Sequence, residues 1–410
     1  MTDTTYDVVV FGATSFVGQI LCQYYTDTYG VDGELKWAAA GRSQEKLESV
    51  RAKLGSAAAR LPLIVANAND DASLDALCQQ TRVVISTVGP YALYGDAMVR
   101  ACVDNGTDYC DLTGEAQWIA AMLEQFESRA KESGARIVHC CGFDSIPSDM
   151  GVFFLQQQAV KQFGEPCTDV ALRVKVAKGG VSGGTVASMM NIAEEITKDP
   201  SLRKKLADPY LLCPPGHTFN ARQPKMTLTR YEPEFDAWST PFVMEAINSR
   251  IVHRSNALSG NAYGDNFTYS ERMLTGKGTS GRLKAAGMGV GLGAFFGTAT
   301  LKPGRWLLNK FVVPQPGEGP SPEAQKAGFY DVRFIGHTAG GNTLKTKVTG
   351  DADPGYGSTA KMLGQAAACL AQDVPADKPG GFWTTATLLG DALINRLQNN
   401  AGLKFEVLKD

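Results

Sequence analysis

Histidine is scarce in this chain: only four of its 410 residues are His, at 139, 217, 253 and 337, and they stand at no metal-ligand spacing. The nine cysteines contain no C-x-x-C, and the closest pair, Cys140 and Cys141, is adjacent. An odd number without a framework predicts free thiols in a reducing cytosol, and no metal site is expected. An excess of one charge is missing as well. Forty Lys and Arg stand against 42 Asp and Glu, a net charge of −2, which offers no basic field to nucleic acid and points to a small-molecule partner. Long apolar runs are also absent. Met1 to Asp7 is polar and Val8 to Phe11 is too short for a signal sequence, so the fold is expected to begin at once. The uncharged stretch Ala285–Leu301 has 17 residues, about 25 Å as a helix against a hydrocarbon core of about 30 Å, too short for a simple crossing. No tandem repeat is found.

What is present is an ordinary globular composition, 44% hydrophobic and 20% charged, in a chain long enough for two or three domains. Short apolar runs at 6–11, 35–40, 61–65, 83–86, 108–112 and 136–140 alternate with helical patterns. Continuous apolar strands alternating with helices predict an α/β fold, a Rossmann-type doubly wound parallel sheet. Beyond Gly151 the pattern changes. Residues 169–177 alternate apolar and polar, and 330–335 and 344–348 flank Gly340-Gly341-Asn342 as a hairpin, which predicts an inserted α+β, mixed-sheet second domain. Helices are expected at 358–371 and 384–398. The expected division is 1–150 for a nucleotide-binding domain, 151–350 for the inserted substrate or subunit domain, and 351–410 for C-terminal helices packing back on the first domain.

The first turn reads Gly12-Ala13-Thr14-Ser15-Phe16-Val17-Gly18. After a strand and before a helix, this spacing suits a dinucleotide pyrophosphate: Gly12 makes the turn, Gly18 permits close packing, and the helix N-terminus attracts the anion. Ser15, where glycine is usual, adds a hydroxyl for a phosphate oxygen. After the second strand come Gly41-Arg42-Ser43, with no Asp or Glu between Leu35 and Gln44. An acidic residue there would read the ribose 2′-OH of NAD; Arg42 instead favours the 2′-phosphate of NADP(H). Thr87, Val88, Gly89 and Pro90 follow the fourth strand and are expected along the nicotinamide, with Tyr91 as an O–H donor to a reacting oxygen. Two further strand ends are polar, Asp111 to Glu115 and Cys141 to Asp149. In the second, Asp144 and Ser145 are candidate catalytic residues, while Ser148 or Asp149 can be helix caps.

The segments G-A-T-S-F-V-G, A-G-R-S, S-T-V-G-P-Y, Y-C-D-L-T-G-E, C-G-F-D-S-I-P-S-D and D-P-G-Y-G-S-T-A-K-M-L resemble the saccharopine dehydrogenase-like oxidoreductases. The likeness is nearer to the branch of trans-acting enoyl reductases than to the lysine-pathway enzymes, and runs from Tyr6 to about Val407. It implies an NADP-binding domain, an inserted α/β domain and a reductase activity. The reading is therefore an NADP(H)-dependent oxidoreductase of an apolar, lipid-type substrate such as an enoyl group. A saccharopine-type amino-acid dehydrogenase is the alternative. Its substrate needs cations, yet 86–96, 110–117 and 139–149 hold no Lys or Arg, leaving Arg173, Lys175, Arg222 or Arg230 to compensate. A non-catalytic NADP-binding scaffold at a lipid surface is a third reading.

Two elements stay open. Gly179 to Thr185 is either a second anion site or a close backbone approach. Ala285–Leu301, flanked by Arg282, Lys284, Lys302 and Arg305, is either buried by the protein or a subunit partner in a homo-oligomer, or it rests on a lipid surface as a peripheral membrane contact.

Overall fold

The six apolar runs become six parallel strands, β1 (Tyr6–Phe11), β2 (Trp37–Gly41), β3 (Leu63–Val65), β4 (Thr81–Ser86), β5 (Asp108–Asp111) and β6 (Arg136–Val138). The structure is a computed structural model that describes residues 4–179, 183–311 and 319–409. The strand order β3-β2-β1-β4-β5-β6 is doubly wound: successive crossovers leave β1 toward opposite edges and open a crevice between the carboxyl ends of β1 and β4. Val8, Val9, Val10, Val83, Val84 and Ile85 are all fully buried. Covered on both faces, these strands show no apolar–polar alternation.

The second sheet is built from β7 (Cys167–Lys178), β8 (Arg230–Glu232), β9 (Ala237–Pro241), β10 (Thr268–Gly276), β11 (Phe329–Thr338) and β12 (Thr343–Gly350). It is mixed: β10 runs parallel to β7, while β11 pairs antiparallel with both β7 and β12. The expected hairpin is present, with Tyr330 opposite Gly350 and His337 opposite Thr343.

The C-terminal segment does more than add helices. The helix Gly357–Gln372 packs on the helix Phe16–Tyr29 and on β1, β4 and β5. After it, β13 (Gly381–Trp383) joins the first sheet beside β6, and β14 (Lys404–Val407) joins the second beside β12. Neither strand was expected: three or four residues are too few to show a period. The helix expected over 384–398 is two, Thr385–Leu388 and Gly390–Asn400, broken at Gly390 with φ +46.

The helix expected to start near Asp149 begins at Ile146 and runs to Phe163. Ser148 and Asp149 therefore lie inside it and are not caps. Asp149 is buried and accepts from Thr385 Oγ1 at 2.8 Å, from the Ala386 N–H at 2.8 Å and from Ser255 Oγ, tying three segments together. In the Gly-rich stretch at 179–185, Gly180, Val181 and Ser182 lie outside the described residues. A Cβ on Gly179 would come within 2.8 Å of Asp353 Cβ, which favours the close-approach reading at that position. Ala285–Leu301 forms most of a surface helix, Gly278–Ala299. No helix among the described residues is long and apolar enough to cross a membrane.

Candidate active site

A cleft of about 1090 Å³ opens at the carboxyl ends of the parallel strands. Along one wall lie Gly12, Thr14, Ser15, Phe16 and Val17, then Arg42 and Lys46 at one end and Thr87 to Tyr91 at the other. Gly12 has φ +89, and a Cβ there would lie 2.6 Å from Thr87 Oγ1; a Cβ on Gly18 would lie 2.2 Å from Gly12 O. Both glycines let β1, the loop and β4 approach closely. Gly18 does this from behind the loop and does not itself line the cleft.

Ser15 is placed differently from expectation. Its hydroxyl caps the helix Phe16–Tyr29 by accepting from the Gly18 N–H at 2.9 Å, and lies 2.9 Å from Thr87 Oγ1. It is thus engaged within the loop instead of being held free for a phosphate. The anion site left by the fold is the first helical turn, where the N–H groups of Phe16 and Val17 have no intrahelical acceptor. Ser43 is likewise a cap, accepting from the Lys46 N–H at 3.3 Å, and is not among the residues that line the cleft. Arg42 and Lys46 are exposed at the cleft's end, and among the described residues neither forms an ion pair. Lys46 was not singled out in the sequence; it stands in the first turn of the helix Gln44–Lys53, whose cap Ser43 follows Arg42 directly.

Of the three candidate catalytic residues, one presents its functional group to the cleft. The Tyr91 ring lines it, but the hydroxyl donates to Ser86 O at 2.9 Å and accepts from the Leu112 N–H at 3.4 Å. Ser145 is 1% exposed and donates to Asn248 Oδ1 at 2.9 Å. Asn248 in turn donates to Glu271, so Ser145 belongs to the seam between the two sheets. In this structure both hydroxyls are engaged by protein partners and neither is turned into the cleft. Asp144 is half-buried in the cleft beside Gly114 and Met244. Burial, reinforced by the negative charge of Asp111, raises its carboxyl from 3.8 to about 7.

The remaining polar residues of these strand ends are structural. Asp111 is fully buried; it accepts from the Thr113 and Cys140 N–H groups and from Tyr109 OH at 3.1 Å each, and holds His139 Nδ1 at 2.7 Å. Glu115 accepts from the Tyr91 N–H at 2.9 Å, the Ala92 N–H at 3.0 Å and Ser188 Oγ at 2.8 Å. It thereby fixes the turn after Pro90 to the helix Gly183–Lys198.

Two further cleft residues were missed. Tyr356, in the D-P-G-Y-G turn, packs edge-on against Phe16 with centroids 4.8 Å apart and accepts from the Gly183 N–H at 2.7 Å. Arg250, on the helix Glu245–Leu258, is 6% exposed and donates to Ala246 O and Leu206 O; its Nε is buried with no hydrogen-bond partner among the described residues. Around it the cleft is apolar, lined by Met189, Ile192, Leu206, Val243, Met244 and Ile247. No signal within the helix's own sequence marks Arg250, because the wall it joins is assembled from distant segments.

The described residues fit a dinucleotide. Gly12 supplies the side-chain-free turn, the helix N-terminus the pyrophosphate site, and the cleft the volume, which slightly exceeds the usual range for small-molecule sites. Fold and site define a nicotinamide-dinucleotide oxidoreductase. The family model for the saccharopine dehydrogenase NADP-binding domain matches residues 8–138. A Mycobacterium tuberculosis protein is 39% identical over 97% of this chain and 96% of its own. A trans-acting enoyl reductase of the same organism is 36% identical over 96% of this chain and 95% of its own, and one from Mycobacterium ulcerans is 36% identical over the same shares. The solved structure of apo saccharopine dehydrogenase (L-Glu forming) from Saccharomyces cerevisiae has a TM-score of 0.53, covering 98% of this chain and all of its own at 13% identity. That likeness is one of fold. The chain belongs to the trans-acting enoyl reductase family of saccharopine dehydrogenase-like oxidoreductases.

Proposed function

We propose that the protein uses NADPH to reduce a carbon–carbon double bond conjugated to an acyl carbonyl on an apolar, lipid-type substrate. The observation that carries the reading is Asp144, whose carboxyl, raised to about 7, opens into a cleft with an apolar wall. At neutral pH a substantial fraction of such a carboxyl is protonated and able to donate. Bound NADPH would supply the hydride, to the β-carbon of the substrate. The electron pair of the double bond then moves to the carbonyl oxygen as an enolate, which the Arg250 guanidinium steadies. Asp144 protonates the α-carbon and regains its proton from water. Arg42 and Lys46 hold the 2′-phosphate, and the N–H groups of Phe16 and Val17 the pyrophosphate.

Two observations disfavour the saccharopine-type reading. Arg173, Lys175, Arg222 and Arg230 do not line the cleft. Arg173 is buried against Glu232 at 3.0 Å, and Lys175 lies 3.5 Å from Asp331. Arg250 is the one cation among the described residues of the apolar wall, too few for a substrate with several carboxylates. The test is NADPH oxidation with a 2-enoyl thioester, using cofactor deuterated at the transferred C4 position. Deuterium at the β-carbon of a saturated product supports the proposal. Turnover only with an amino acid and a 2-oxo acid, or no turnover with any acceptor despite tight NADPH binding, overturns it in favour of a saccharopine-type enzyme or a scaffold.

A further inference from the structure

The helix Gly278–Ala299 is an unusual surface element. Of its residues only Gly281, Ala285, Gly289 and Ala299 are buried, a narrow stripe against β9, β10 and the helix Gly183–Lys198. Its outer face, the short link after it and the following helix, Lys302–Phe311, expose Leu283 (73%), Val290 (60%), Leu301 and Trp306 (62% each). Six of the fifteen large apolar side chains exposed among the described residues fall between 283 and 306. A Cβ on Gly287, Gly291, Gly293 or Gly297 would meet nothing within 4 Å, so packing inside this chain does not require those glycines. A contiguous patch of this kind marks a surface that something covers.

Charge decides what covers it. From Lys277 to Phe311 the sequence holds six basic residues and no acidic one, in a chain whose net charge is −2. Lys277 and Arg305 lie near Asp236 and Glu194 at 2.7 and 3.7 Å. Arg282 and Lys284 are exposed, and among the described residues neither has a carboxylate partner; Arg282 lies over the Trp238 ring at 5.2 Å. The adjoining loop, whose Leu228 packs on Gly289, exposes Met226 and Leu228 and from 214 to 230 has Arg222, Lys225 and Arg230 with no acid. A second copy of this face would bring cations against cations. An anionic lipid surface complements both properties, with apolar side chains in the acyl boundary and cations at the headgroups. The patch also reaches the cleft, because Phe296 lines it.

We infer that the helix pair 278–311 and the loop at 221–230 form an interfacial docking surface for anionic lipid, seating the mouth of the cofactor cleft on a membrane. The inference stands on geometry and charge and does not require the proposed reaction. The test is flotation of the full chain, with NADPH bound, on phosphatidylcholine vesicles with and without about 30% phosphatidylglycerol. The expected result is flotation with the anionic vesicles, weakened by salt and by about tenfold or more in an Arg282→Gln, Lys284→Gln double variant. Leu283→Asp with Val290→Asp is expected to lower partitioning by about 100-fold while NADPH affinity and thermal midpoint stay native, because both side chains are solvent-exposed. Three results overturn the inference: no flotation on anionic vesicles, flotation that the double Asp variant retains, or a non-floating dimer that the same variant splits into monomers, which assigns the face to a second copy.

Discussion

Asp144→Asn is expected to move activity and stability in opposite directions. In the native protein burial raises this carboxyl from 3.8 to about 7. At 1.36 kcal/mol per pH unit, that rise disfavours the ionised form by roughly 4 kcal/mol. Water in the cleft screens part of the cost, and about 1–2 kcal/mol is the expected size at pH 8. The sign follows from proton binding. Between about pH 4 and 7 the folded chain holds a proton at Asp144 that the unfolded chain has released, so the neutral carboxyl's contribution is complete below about pH 4 and is lost as pH rises through about 7. An amide never ionises and escapes the loss. The variant should therefore unfold about 1–2 °C higher at pH 8, with the gain vanishing near pH 4. Turnover should fall by about 100-fold or more, and the decline of native activity above about pH 7 should disappear from the residual rate. Scanning calorimetry at the two pH values and a pH profile of NADPH oxidation check both signs. A variant with native turnover, or one less stable than native at pH 8, would refute the reasoning and move the proton donor elsewhere.

Arg42→Ala should weaken NADPH by about 10- to 150-fold and leave NADH nearly unchanged, with Lys46→Ala smaller in the same direction; fluorescence titration of both cofactors decides, and equal native affinities would sink the NADP assignment. Gly18→Ala should fail to fold or lose cofactor binding, because its Cβ would lie 2.2 Å from Gly12 O and 2.9 Å from Ala13 Cα, both main-chain atoms; native circular dichroism with native NADPH affinity would contradict the packing argument. Tyr91→Phe and Ser145→Ala should each cost about 1 kcal/mol of stability in urea denaturation with kcat within about twofold of native. A hundredfold loss of kcat in either variant would restore its hydroxyl to the chemistry.

Local pattern carried a large part of this protein. The turn at Gly12–Gly18, the six parallel strands and the arginine after β2 are set by neighbours within one strand–turn–helix unit, where conformational demand and chemistry act over a few residues. The absence of an acidic residue between 35 and 44 was informative for the same reason: the ribose reader is positioned by that one strand end. Residue types at the strand ends were legible, but the direction of each side chain was not. Ser145 and Asp144 are adjacent in sequence; Asn248, 103 residues away, captures the first, while the second is left facing the cleft. Tyr91 is drawn to Ser86 O because a buried hydroxyl must find a partner and the strand's last carbonyl is the nearest. The sequence left Ala285–Leu301 balanced between burial and exposure, and the packing of four small residues on β9, β10 and a neighbouring helix turned the larger ones outward. The assembly of the cleft was decided by tertiary structure alone. Arg250, Tyr356 and the apolar wall come from segments far apart in the chain, and β13 and β14 are too short to have shape without the sheets they complete. Backbone pairing across hundreds of residues, with the need to satisfy every buried polar group, is a property of the closed fold and has no local signature.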